Sequence, residues 1–136
     1  SGSPCALPAT ATTGGSGKAG LAGVPTLVAQ NLPVIPSTNF AIHASGCTPG
    51  LSAMLVFGFS LISAPFDEGT LYPSPDIMLA LATSPAGVVH LPLGLTENPS
   101  LCGLTLHCQL LVLNDPGATG FKHTAQTNYL TLRFGN

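Results

Sequence analysis

The chain has 136 residues, 45% of them hydrophobic and only 6% charged, with a net charge of −2 at neutral pH. Three basic side chains, Lys18, Lys122 and Arg133, cannot neutralise a phosphate backbone, so nucleic acid is excluded as a partner. The composition is the reverse of the high-charge signature of disordered chains, and the length suits one domain.

Residues 1–24 are mainly Gly, Ala, Ser, Thr and Pro, with no period of 2 or 3.6, and read as an extended N-terminal arm. An arm of this kind packs on its own domain or on another copy. From Pro25 to Asn136 the pattern changes to short apolar runs separated by turn residues at intervals of about ten, the mark of an all-β domain. The runs are 26–33, 39–45, 52–60, 70–72, 77–83, 88–93, 104–113 and 127–134. Between them lie Ile35-Pro36-Ser37, the Gly46 to Gly50 segment, Asp67-Glu68-Gly69, Ser84-Pro85-Ala86-Gly87, Asn98-Pro99-Ser100 and Asn114-Asp115-Pro116-Gly117, all turn chemistry. The expected fold is a two-sheet antiparallel β-sandwich of about eight strands, Greek-key or Ig/jelly-roll-like, behind the arm.

Helix is the competing reading for 51–62 and 101–113. In the second segment Leu104, Leu106, Cys108, Leu110 and Val112 alternate with Thr105, His107, Gln109, Leu111 and Leu113, which a strand explains better. The apolar half, Leu110 to Leu113, calls for cover on both faces, from a neighbouring sheet, the arm or another subunit. The final run, with Leu130, Leu132 and Phe134 inward, suits an edge strand.

No apolar run reaches the roughly 18 residues that span a bilayer, since 51–62 is broken by Gly58 and Ser60 and stopped by Pro65. The N-terminus has no basic or apolar leader and reads as a processed end or a start within a longer chain. Cys5, Cys47, Cys102 and Cys108 allow three complete pairings, and in so uncharged a chain they point to an oxidising, extracellular or cell-surface location. Cys102 and Cys108 would stand about 20 Å apart along a straight strand, beyond the roughly 7 Å reach of a disulfide. Cys108 suits a buried thiol.

The ordered series Cys5, Pro25-Thr26-Leu27, Leu32-Pro33-Val34-Ile35, Phe40-Ala41-Ile42, Phe57-Gly58-Phe59-Ser60, Gly69-Thr70-Leu71, Leu91-Pro92-Leu93, Asn98-Pro99-Ser100-Leu101, Gly103-Leu104-Thr105-Leu106 and Leu111-Val112-Leu113 resembles a family of poorly characterised secreted β-domains. These are abundant in planctomycete-type and myxobacterial-type extracellular proteins, often as a C-terminal module. The resemblance implies secretion and an all-β fold, and no catalytic residues. Family members often carry a second Cys just before the segment matching Leu71-Tyr72; here Gly69-Thr70 stands there, so Cys5 needs a different partner. Cys47 and Cys102 occupy positions where the family commonly has small residues, which suggests a Cys47–Cys102 bridge.

Chemistry is sparse. His43, His90 and His107 fall in predicted strands and His123 in the last loop; cross-strand neighbours can converge, but surface or hydrogen-bonded roles are the default over a metal site. Asp67, Glu68, Asp76, Asn114 and Asp115 lie in loops without calcium-loop spacing, so turn and cap duty is expected of them. Phe57-Gly58-Phe59-Ser60 lacks the second glycine of a nucleophile elbow, because Ile62 stands there, and no paired carboxylates suit glycoside hydrolysis. No catalytic residue, metal or cofactor is assigned.

The sequence points to a secreted, non-enzymatic structural protein whose partners are copies of itself, assembling into an extracellular filament, sheath or surface layer through arm and edge strands. The candidate contacts are Leu7, Leu21 and Val24 in the arm, with Leu110, Leu111, Val112 and Leu113. The alternative is an accessory or adhesion module that binds extracellular polysaccharide or a cell-surface partner, for which the absence of Trp and the presence of only two tyrosines, Tyr72 and Tyr129, offer little platform. Neither reading involves membrane insertion.

Overall fold

The computed structural model describes residues 5–136. It is an all-β sandwich of eleven strands: β1 (Thr10–Gly14), β2 (Thr26–Gln30), β3 (Ala41–Ser45), β4 (Ser52–Gly58), β5 (Leu61–Phe66), β6 (Gly69–Pro73), β7 (Ile77–Ala82), β8 (Val89–Pro92), β9 (Thr105–Val112), β10 (Ala125–Gln126) and β11 (Tyr129–Arg133). A single 3-10 turn, Pro99–Leu101, precedes β9; the Asn98 side chain caps it by accepting from the Ser100 N–H.

All eight expected runs are strands. The three additional strands were hidden for separate reasons. β1 lies in the Thr-rich arm, where pairing with β11 stabilises a segment of no apolar periodicity. β5 contains Pro65, and β10 is only two residues long.

The larger sheet runs β1-β11-β9-β4-β7, with β10 also paired to β9, every pairing being antiparallel. The smaller sheet is β2-β3-β8. Period-2 alternation decides what lies between them. Leu55, Cys108, Leu110, Val112, Leu130 and Leu132 from the larger sheet meet Leu27, Ile42, Ala44 and Val89 from the smaller one in a single buried core with Phe40. Asn128 ties the two sheets at the backbone: its Oδ1 accepts from Leu27 N–H at 2.9 Å and its Nδ2 donates to Leu27 C=O at 2.9 Å.

The opposite face of the larger sheet is covered by a third layer. The β5–β6 hairpin is inserted between β4 and β7, which pair directly with each other, and it folds back over that face. Two fully buried glutamines hold it there. Gln109 accepts from Tyr72 N–H at 2.9 Å and donates to Thr70 C=O at 2.9 Å and Thr127 C=O at 3.0 Å. Gln126 accepts from Thr70 N–H at 3.1 Å and donates to Phe66 C=O at 2.9 Å. Gly69 is needed at this seam, since a Cβ there would run into the Gln126 amide.

Three expectations are corrected. Leu110 and Val112 are fully buried and Leu111 is 7% exposed, because the smaller sheet covers one face of β9 and the β5–β6 layer reaches the other. They therefore offer no surface to a second copy. The last strand is not an edge, because β1 pairs outside it.

The expected Cys47–Cys102 bridge is replaced by Cys5–Cys102, with Cα atoms 5.4 Å apart. Cys102 precedes the start of β9 while Cys47 precedes β4, whose first residue lies opposite the far end of β9; eight residues of strand separate those ends by about 25 Å. Asn136 N–H to Leu7 C=O and the Arg133 guanidinium to Pro8 C=O bring the start of the arm beside Cys102. Cys47 and Cys108 are buried free thiols.

Replacing Gln109 with Leu keeps the bulk but leaves the Tyr72 N–H and the Thr70 and Thr127 carbonyls without their partner. At about 1–3 kcal/mol for each unsatisfied buried group, the variant is expected to lose at least about 2 kcal/mol in denaturant unfolding. Amide exchange is expected to accelerate at Tyr72 before it does in β9. The bridge closes a span of 97 residues, so its reduction is expected to cost about 2–4 kcal/mol. The native, oxidised protein should show no thiol reactive towards a disulfide reagent and two after unfolding.

Candidate functional site

The acidic loop residues are structural clasps. Asp115 is fully buried and accepts from Thr48 Oγ1 at 2.6 Å, Leu21 N–H at 2.8 Å and Gly117 N–H at 3.0 Å, joining the arm, the β3–β4 connection and its own loop. Burial pushes its carboxyl up, but those hydrogen bonds, Thr48 foremost, outweigh it and hold the group below the ordinary carboxylate range. Gly20 is required here, because a Cβ at that position would strike the Asp115 carboxylate.

Asp67, at the β5–β6 turn, accepts from Lys122 N–H at 2.7 Å and Thr124 N–H at 2.8 Å and pairs with Lys18 Nζ at 3.4 Å. Burial works against its ionisation, yet the Lys122 and Thr124 donors and the Lys18 charge bring its pKa down to about 2. Lys18 also donates to the carbonyls of Asp67 and Thr119. Asp76, exposed at the start of β7, is lowered by the Ser74 hydroxyl and the Phe59 N–H.

Burial, with the Asp115 charge adding to it, raises Cys47 to about 11, and burial raises Cys108 to about 12. Among the histidines, His107 Nδ1 pairs with Thr131 Oγ1 at 2.8 Å, its pKa lowered by burial, and His123 Nδ1 meets Ala118 C=O at 3.0 Å. His43 and His90 face each other across β3 and β8. Among the described residues no three His, Cys, Asp or Glu side chains gather as a metal cluster.

The arm is bound in cis. Cys5 is bridged, β1 pairs with β11, Lys18 and Gln126 exchange backbone hydrogen bonds, and Leu21 N–H is held by Asp115. Its candidate contacts keep their side chains outside: Leu7 is 45%, Leu21 67% and Val24 51% exposed. Leu113 is half-buried in an open cleft of about 470 Å³ with Met54, Phe66 and the almost fully exposed Phe121.

The larger apolar surface lies where sequence reasoning did not look. Among the described residues β7 pairs with β4 alone and forms one edge of the larger sheet, and its Ile77, Met78 and Leu79 are 52%, 58% and 38% exposed. Phe59, whose N–H is bonded to Asp76 just before β7, and Leu61 and Ile62 at the start of β5 extend the exposed apolar surface at that end. The strand, Ile77-Met78-Leu79-Ala80-Leu81-Ala82, carries no charge, proline or glycine. Those are the devices that usually blunt an edge. The signal was present as an apolar run without alternation, which reads equally well as a buried central strand.

No family model, curated protein or solved structure matches the chain. Among the described residues no helix is long and apolar enough to cross a membrane.

For the Asp67 clasp the folded pKa, about 2, lies below the ordinary 3.8, so its stabilisation is complete above about pH 4 and is lost as pH falls towards 2. Asp115 acts with the same sign. Asp67→Asn is expected to be less stable than the wild type at pH 6, with the difference shrinking between pH 4 and 2; chemical denaturation at a series of pH values checks it. A difference that grows on acidification contradicts the assignment.

Proposed function

We propose that the protein is a secreted, non-enzymatic structural domain that associates with copies of itself through the open β7 edge. The single observation carrying this is an uncharged, apolar edge strand with its side chains in solvent. The small net charge adds to it, since little electrostatic repulsion opposes contact. The disulfide and the resemblance to secreted β-domains support an extracellular setting.

The strand directions favour a twofold contact. Five strands paired antiparallel in succession leave β1 and β7 running in the same direction. Translation of one copy onto another would therefore pair them in parallel, whereas a twofold axis beside β7 pairs β7 with β7 antiparallel. A ladder centred on Leu79 sets Asp76 of each copy opposite Ala82 of the other, so the flanking carboxylates do not meet.

Covering Ile77, Met78 and Leu79 contributes about 1 kcal/mol for each half-exposed side chain, or about 6 kcal/mol over two copies. Against an association cost of about 4–15 kcal/mol, the pair is reversible and concentration-dependent. A filament or layer requires a second contact, and the exposed arm side chains Leu21 and Val24 supply one on a different part of the molecule.

Sedimentation velocity over a concentration series is expected to show a monomer–dimer equilibrium, with larger species at the highest loading and fibres or sheets in electron micrographs. Met78→Lys and Ala80→Lys, both at exposed positions, should weaken dimerisation at least tenfold with the melting temperature little changed. Leu21→Ser should leave the dimer and remove the larger species. A wild type that stays monomeric at millimolar concentration sinks the reading, and a monomer that binds a polysaccharide favours the accessory-module alternative.

A further inference from the structure

The smaller sheet has one face in the core, while its other face is exposed at Val28 and His90, half-exposed at His43 and covered at Ala41, and the register places its side chains unambiguously. Leu27, Ala44 and Val89 form one inward row, and Ala29, Ile42 and Leu91 another. Between them, pointing outward, is the row Val28, His43 and His90. The neighbouring outward positions are Thr26 and Ser45 on one side and Gln30, Ala41 and Pro92 on the other. No carboxylate, lysine or arginine stands among them.

His43 and His90 are direct cross-strand partners, with their Nδ1 atoms 3.0 Å apart and their rings at 66°. His107 and His123 turn Nδ1 to a protein oxygen. This pair instead turns both Nδ1 atoms to each other, at the surface and on adjacent strands whose spacing is fixed by the sheet. Two imidazole nitrogens converging in this way form half of a coordination sphere.

We propose that His43 and His90 are a two-imidazole chelate for a divalent transition-metal ion, copper(II) foremost, with water completing the coordination. The spacing favours a cis pair at a right angle: with metal–nitrogen bonds of about 2.0–2.1 Å, such a pair spans about 2.9 Å, against about 3.3 Å in a tetrahedral site. Copper(II) also stands highest in the affinity order of divalent first-row ions for nitrogen ligands. In the metal-free pair, one Nδ1 carries the hydrogen that the other accepts. On binding, that hydrogen leaves Nδ1 through solvent and the same ring is protonated at Nε2, so both Nδ1 lone pairs face the ion and each imidazole remains neutral.

The test is titration of the full chain with copper(II), followed by calorimetry and by amide NMR. One ion per chain is expected at this site, with paramagnetic broadening centred on residues 42–44 and 89–91 and a melting temperature that rises with added ion. His43→Ala and His90→Ala should each weaken this binding at least tenfold and abolish the thermal shift, whereas His123→Ala should not. Zinc(II) should bind the same residues more weakly. Broadening confined to other parts of the chain, or titrations of the two variants that overlay the wild type, overturns the proposal. The positions are solvent-facing, and far-ultraviolet circular dichroism of each variant separates lost binding from lost fold; should either variant unfold, the location of broadening in the wild type decides the matter alone.

Discussion

The arrangement of the whole molecule depends on the hydrogen bonds that Gln109 and Gln126 make to the β5–β6 hairpin. That hairpin is inserted between β4 and β7, and without an anchor it could continue in the plane of the larger sheet. The two amides instead occupy backbone groups of Phe66, Thr70 and Tyr72, and draw it across the face of β9. Two consequences follow. The apolar half of β9 is covered on its second face, and β4 pairs directly with β7, which becomes the margin of the sheet. A docking seam made of buried amides is stringent, because each unmet backbone partner in a low-dielectric interior is costly.

The same economy governs the few charges. With five acids in the chain, two are committed to holding loops together, Asp115 gathering the arm and two connections and Asp67 fastening the β5–β6 turn to the last loop and to Lys18. Charges used internally do not disperse the surface. The scarcity that leaves the β7 edge without a lysine or glutamate is thus sharpened by where the existing carboxylates are employed. The arm, held by Cys5, β1 and Asp115, becomes part of the sandwich and presents Leu7, Leu21 and Val24 outward together with Thr12, Thr13 and Ser16.

Much of the fold was legible because its causes are local. Period-2 alternation in 104–113 and turn residues between the runs marked all eight expected strands, and the six-residue spacing of Cys102 and Cys108 excluded their pairing. β1 was not legible, since its Thr-rich sequence has no apolar face and is a strand only because β11 offers a ladder. The Cys5–Cys102 bridge was not legible either: which cysteines meet depends on the ends of β9 at which the chain termini and the β3–β4 connection arrive. Of the candidate contacts, Leu7, Leu21 and Val24 are exposed as an arm suggests, while Leu110, Leu111 and Val112 are enclosed by layers whose order no spacing records.

By itself, then, the amino-acid order determined the class of fold, the turns and the shortage of charge, all properties of residue type and short-range period. Only the tertiary structure decided that Ile77–Ala82 lies at a margin rather than in a middle, that the hairpin before it rises over the sheet, and that His43 meets His90. Each of those is a relation between segments distant in sequence. The physical reason is that a strand's own residues specify its pleat and its inward face, whereas its neighbours are chosen by competition among all the surfaces and backbone partners that the rest of the chain brings to it.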